Sequence, residues 1–246
     1  PALADDKYKS TINAHLVANG SGTTPKEMNL TARGSFTDTT LMGGTIPQLD
    51  FDATLANDTA HVKANGRFAD VDPAVASAKK DLAGKVGGTL NVDATVANVS
   101  TGVTPDSVEA DAKVTLDPST IGGLELTSAN VDGTYHNSTG EIRTLEIVGR
   151  DVNVKANGTI ALNDTGQSNL TVHADSPSLE TIGKLVNQPL TGIGKVDATI
   201  TGNRGELNAT GNLTGNGLKY GDNGALTISS DFNATVRDLD AATAIV

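Results

Sequence analysis

The sequence predicts a mostly β protein: a long antiparallel sheet of roughly a dozen strands with two short helices. Three observations carry this. Apolar and polar residues alternate with a period of two along most of the chain. Turn-forming clusters separate many of the alternating runs: "AND" at 56–58, "NSTG" at 137–140, "NDTG" at 163–166, "GNRG" at 202–205 and "GDNG" at 221–224. Nearly every run is apolar on one face only, which is the mark of antiparallel sheet with one solvated face.

Taken in order, the first strand sets Ile12, Ala14, Leu16 and Ala18 against Thr11, Asn13, His15 and Asn19. Met28, Leu30, Ala32, Gly34 and Phe36 make the next apolar face, then Leu49, Phe51, Ala53 and Leu55, then Val62, Ala64 and Phe68. Leu90, Val92, Ala94 and Val96 oppose Asn91, Asp93 and Thr95, and Val108, Ala110, Ala112 and Val114 oppose Glu109, Asp111, Lys113 and Thr115. A bulge near Ser128 restores the alternation at Ala129, Val131 and Tyr135. Val152, Val154, Ala156 and Ile160 form a further strand, followed by Leu170, Val172 and Ala174. Val196, Ala198 and Ile200, then Leu207, Ala209 and Leu213, and last Leu226, Ile228, Phe232, Ala234 and Val236 complete the series.

Two segments break the rhythm. "DPAVASAKKDLAG" (72–84) has an Asp N-cap, a Pro at the first helical position and a Gly where a C-cap belongs, with Val75, Ala78 and Leu82 on one face. "SPSLETIGKLV" (176–186) sets Leu179, Ile182 and Val186 at helical spacing. Both read as plugs or caps on a sheet. The chain also repeats itself. "VKANG" occurs at 62–66 and 154–158, "TINAHLVAN" (11–19) echoes "TLNVDATVAN" (89–98), and "VDAT" stands at 92–95 and 196–199. These echoes describe one elongated segment of about two and a half strand-rich modules, approximately 1–70, 71–158 and 159–246.

Composition excludes several functions. The 246 residues carry a formal net charge of −11, which disfavours a nucleic-acid backbone as partner. There is no Cys and no Trp, with only three Tyr and four Phe, so few large side chains exist to plug a closed core. No apolar run is long enough to span a membrane as a helix. No signal peptide opens the chain, and its first and last residues, "PALADD" and "LDAATAIV", read like cuts through something longer. No enzyme is expected. His15, His61, His136 and His173 are scattered on polar faces or turns, and no GxSxG or SxxK neighbourhood surrounds any Ser. The Gly-rich "GNGLKYGDNG" (215–224) lacks a phosphate-binding Lys-Ser/Thr and reads as a hairpin. "DVD" (70–72) and "DLD" (238–240) read as a helix cap and a chain end, and the many Asn-x-Ser/Thr triplets as surface periodicity. No metal or cofactor is expected.

The phrases "GRFADVDP … DLAGKVGGTLNVDATV" and "ADSPSLETIGKLVNQPLTGIGKVDATITGNRGELNATGNLTGNGLKYGDNGALTISSDFNATV" resemble the AsmA-like superfamily, TamB-type members in particular. The similarity covers roughly residues 60–236 and consists of a short helix, "LTG", a strand, a "TG" turn and "LKYG" before an alternating strand. It implies a sheet curled into a U-shaped groove (a β-taco) with an apolar lining. It also implies a periplasmic location, as the middle of a longer chain with an inner-membrane anchor and an outer-membrane end. The implied role is phospholipid transfer between the two membranes in outer-membrane biogenesis.

The lining residues are then Leu90, Val92, Ala94 and Val96; Val108, Ala110, Ala112 and Val114; Val152, Val154, Ala156 and Ile160; Leu170 and Val172; Val196, Ala198 and Ile200; and Leu226, Ile228 and Phe232. Their partners would be phospholipid acyl chains. The competing expectation is a sealed core in a β-solenoid or β-sandwich segment of a secreted adhesin. Strand edges near residues 8–18 and 226–236 predict end-to-end self-association.

Overall fold

The computed structural model describes residues 10–41, 43–77, 79–237 and 243–245. The chain divides into two compact units, one running to Ile121 and including Thr134–Asn137, the other formed by Gly122–Gly133 and the chain from Ser138 onward.

The first unit contains β1 (Ala14–Ser21), β2 (Asn29–Leu41), β3 (Gly44–Ala56), β4 (Thr59–Val71), β5 (Gly84–Ala97), β6 (Val108–Leu116) and the short β7 (Ser119–Ile121). Strands β1 to β6 pair in chain order, each antiparallel to the next, and β7 pairs with β5. The second unit is built from β8 (Leu124–His136) as far as Gly133, β9 (Thr139–Gly149), β10 (Asn153–Ala161), β11 (Ser168–Ser176), β12 (Leu190–Asn203), β13 (Glu206–Tyr220), β14 (Asn223–Arg237) and β15 (Thr243–Ile245). From β9 to β15 the registers are again antiparallel and in chain order.

Local chemistry explains the short connections. The tips at Asn57–Asp58 and Asn137–Ser138 have all four residues at φ between 50° and 62°. That is the type I′ geometry whose twist matches paired strands, and Asn and Asp tolerate it. Pro47 lacks an N–H for the ladder, and the β3–β4 register shifts between Thr45 and Gln48, where the ladder does not need that donor.

The strands are longer than the alternation alone indicates, and three were not legible. β7 and β15 are three residues each. β9 was hidden by a bulge: its apolar residues Ile142, Leu145 and Ile147 change parity where the β9–β10 register slips between Ala156 and Gly158. The bulge expected near Ser128 has its counterpart in β8, where the two buried apolar residues, Leu126 and Ala129, are three apart.

The helices are shorter than expected. α1 covers Pro73–Ser77 only, and a separate 3₁₀ turn follows at Lys80–Leu82. Ala78, expected on that helix, lies outside the described residues. Asp72 does cap the helix: its Oδ1 accepts from the backbone N–H of Ala74 at 3.0 Å and of Gly84 at 3.2 Å. One carboxylate thus ties the start of α1 to the start of β5. α2 covers Leu179–Leu185 and lies on β12, with Leu179 filling the space above Gly194, where a Cβ would stand 3.1 Å from its Cδ1. Val186, expected on the apolar side of α2, is 52% exposed.

The Asp72 cap gives a first prediction. Asp72→Ala should lower stability by about 1 kcal/mol, the usual cost of a lost N-cap, and Asp72→Asn should retain most of it. A thermal melt that does not separate Asp72→Ala from the parent would remove the cap from the account.

Candidate functional site

Register sorts the alternating residues of the first unit into rows that cross the strands. Four rows are apolar. Ala14, Phe36, Leu49, Gly66, Leu90 and Val114 form one, and Leu16, Gly34, Phe51, Ala64, Val92 and Ala112 the next. Then come Ala18, Ala32, Ala53, Val62, Ala94 and Ala110, and finally Gly20, Leu30, Leu55, Ala60, Val96 and Val108. The third row is almost entirely Ala, with bulkier residues beside it. It is a shallow rut running across the strands. Phe36 and Phe51 stack beside it with ring centroids 5.4 Å apart, the second ring lying over Gly34.

The second unit repeats the scheme. Ile147, Val154, Ala174, Val196 and Leu213 share a row; so do Leu145, Ala156, Val172, Ala198, Gly211 and Phe232, and Ile142, Gly158, Leu170, Ile200, Ala209 and Ala234. All eight expected residues of β5 and β6 therefore meet as four direct cross-strand pairs. Those of β10, β11 and β12 meet in the same way, apart from Ile160, which faces Gly140 of β9, and Val152, which precedes β10 in the turn. Phe232 and Ile228 face Gly211 and Gly215. Leu226, beside the β13–β14 turn, is 91% exposed and is not brought into the apolar rows. Ile142, Leu145 and Ile147 belong to the face but escaped the alternation, for the bulge described above.

Few of the row residues are fully buried. Of the expected lining residues only Ala156 and Leu170 are buried, and nearly all the others are half-buried. No large side chain among the described residues falls below 2% exposure.

The opposite face is polar and laced with charge. Row by row it includes Arg33, Asp52, Lys63, Asp93 and Asp111 in the first unit and Glu146, Lys155, His173, Asp197 and Asp231 in the second. Arg33 pairs with Asp52 at 2.7 Å and Lys155 with Glu146 at 2.9 Å. The two "VDAT" words place equivalent carboxylates here. Asp93 lies 2.6 Å from His61 Nε2 and 3.1 Å from Lys63 Nζ; Asp197 lies 2.5 Å from His173 Nδ1 and 3.2 Å from Lys195 Nζ. In each, the histidine bond first and the lysine bond second hold the carboxyl below the usual carboxylate range. Among the described residues no three His, Asp or Glu side chains converge to hold a metal ion, and no helix is long and apolar enough to cross a membrane.

No family model, curated protein or solved structure matches the chain.

The paired carboxylates give a prediction of acid sensitivity. A carboxyl whose pKa is lower in the folded than in the unfolded chain stabilises the fold above the unfolded value, and that contribution is lost as pH falls through the folded value. For Asp93 and Asp197 the contribution is present above pH 3.8 and disappears below it. The melting temperature should drop as pH is lowered from 5 to 2, and Asp93→Asn with Asp197→Asn should flatten that drop. An unchanged acid slope in the double variant would show that the two sites are energetically silent.

Proposed function

We propose that the apolar rows line an open groove that carries phospholipid acyl chains. In this reading the sheet curls into a U shape, the chain is a middle segment of an AsmA-like, TamB-type periplasmic protein anchored in the inner membrane, and the role is lipid transfer to the outer membrane. The observation that carries the reading is the pairing of long apolar rows with persistent solvent exposure. A structural β segment of an adhesin would seal such a face.

The energetics suit passage rather than capture. Each acyl CH₂ kept out of water is worth about 0.8 kcal/mol, so a tail of about 15 carbons costs on the order of 12 kcal/mol to expose. Six strands at about 4.8 Å spacing make the Ala row about 24 Å long. One leaflet of hydrocarbon is about 15 Å deep, so a whole tail fits along the rut. Ala offers contact without pockets, which leaves a tail free to slide. The polar rows keep the outer face wet, and the headgroup would remain at the groove mouth. The outer edge of β1, all of whose residues are exposed and which pairs only with β2 among the described residues, would accept a further strand of a longer chain or of a second copy.

Native mass spectrometry on the chain purified without detergent from a bacterial envelope should show bound phospholipid. Ala94→Glu and Ala198→Glu put a carboxylate into the rows. They should cost no more than about 2 kcal/mol, since an open face lets the charge reach water, and should abolish the lipid signal. Thr199→Glu, on the polar face with only Thr171 and Thr210 opposite, should change neither. A fully folded parent that never carries lipid, or glutamate variants that fail to fold, would favour the sealed core.

A further inference from the structure

We propose that the polar face of β3 to β6 carries a binding furrow for a neutral oligosaccharide. It lies on the side opposite the apolar rows, so its failure and that of the lipid reading are independent. Two adjoining depressions form it. One of about 360 Å³ has Gln48, Asp50, Asn65, Arg67, Asn91 and Lys113 among its lining residues. The second, of about 460 Å³, shares Asp50, Asn65 and Asn91 and continues toward Asp52, Lys63 and Asp93.

At the centre, Asn65 of β4 and Asn91 of β5 are direct cross-strand partners. Both are exposed, and neither side chain hydrogen-bonds to another described residue. Asn is disfavoured in strands yet recurs on the polar faces of this chain, as at Asn169 and Asn212; what sets Asn65 and Asn91 apart is that the two amides face each other directly. Each amide presents one acceptor oxygen and two N–H donors. Two amides at cross-strand distance, roughly 5 Å between Cβ atoms, can bracket neighbouring hydroxyls, which both donate and accept.

Charge selects a neutral ligand. Lys63, Arg67 and Lys113 balance Asp50, Asp52 and Asp93 around the furrow, within a chain of net charge −11. All three cations have partners, among them Arg67 with Asp117 at 2.8 Å and Lys63 with Asp93 at 3.1 Å. A phosphate would meet three carboxylates. The furrow crosses three strand spacings, about 14 Å, which suits a short run of sugar rings rather than one. Without an aromatic stacking platform, affinity should be weak, about millimolar.

The test is titration of the ¹⁵N-labelled chain with cellotetraose and with chitotetraose, followed on side-chain NH₂ resonances. Saturable shifts at Asn65 and Asn91 with at least one probe are expected. The double variant Asn65→Thr/Asn91→Thr should weaken binding at least tenfold while its melting temperature holds or rises, because Thr suits a strand better. Asn169→Thr, an exposed strand Asn of the second unit, should bind like the parent. The proposal fails if neither probe shifts these resonances at tens of millimolar. It fails equally if the double variant responds like the parent, or if glucose 6-phosphate binds and the neutral sugars do not.

Discussion

Everything in this molecule depends on register parity. Side chains alternate across a strand with a period of two, so slipping one strand by a single residue would send its whole apolar set to the other face. Here neighbouring strands are paired so that, along each of these rows, apolar residues meet apolar residues or Gly across the ladder, from β1 to β6 and again from β9 to β14. The continuity of the apolar rows is a consequence of pairing rather than of any one residue. The same parity collects Asp, Lys, Arg and His on the other side, where they neutralise one another in cross-strand pairs. An apolar row slipped out of phase would also tear Asp93 from His61 and Lys63.

A sheet of this kind holds together differently from a globular core. The buried apolar residues among those described are few and mostly small: Val86, Leu126, Ala129, Ala156, Ala161, Leu170 and Leu207. The ladder of backbone hydrogen bonds and the direct cross-strand contacts must therefore supply a large share of the cohesion. Small side chains reduce what each row can contribute, yet they leave the face smooth.

Bulges adjust the parity where the chain needs it. Near Ala156 and Gly158 the slip in register lets β9 present Ile142 and Ile147 to the same face although they are an odd number apart. Between Thr191 and Ile193 a similar slip occurs in the β12–β13 pairing, and Ile193 is 50% exposed. The helices act at strand ends, joined to the sheet by Asp72 at one and by Leu179 over Gly194 at the other.

The sequence by itself determined the class of fold, because a two-residue period and Asn/Asp/Gly turns are local properties that no distant contact is needed to read. It also determined which residues share a face along most of the strands, including the eight of β5 and β6. The tertiary structure decided what those faces meet. Only pairing aligns five Ala and one Val from six strands into one rut, joins each "VDAT" aspartate to a histidine of a neighbouring strand, and sets Asn65 beside Asn91. It also decided where periodicity misleads. β9 escapes notice because a bulge interrupts its alternation, and Leu226 stands in solvent although its parity is apolar. The physical reason is the same in each case: alternation is written along one strand, whereas exposure, register and helix length depend on neighbours far away in the chain.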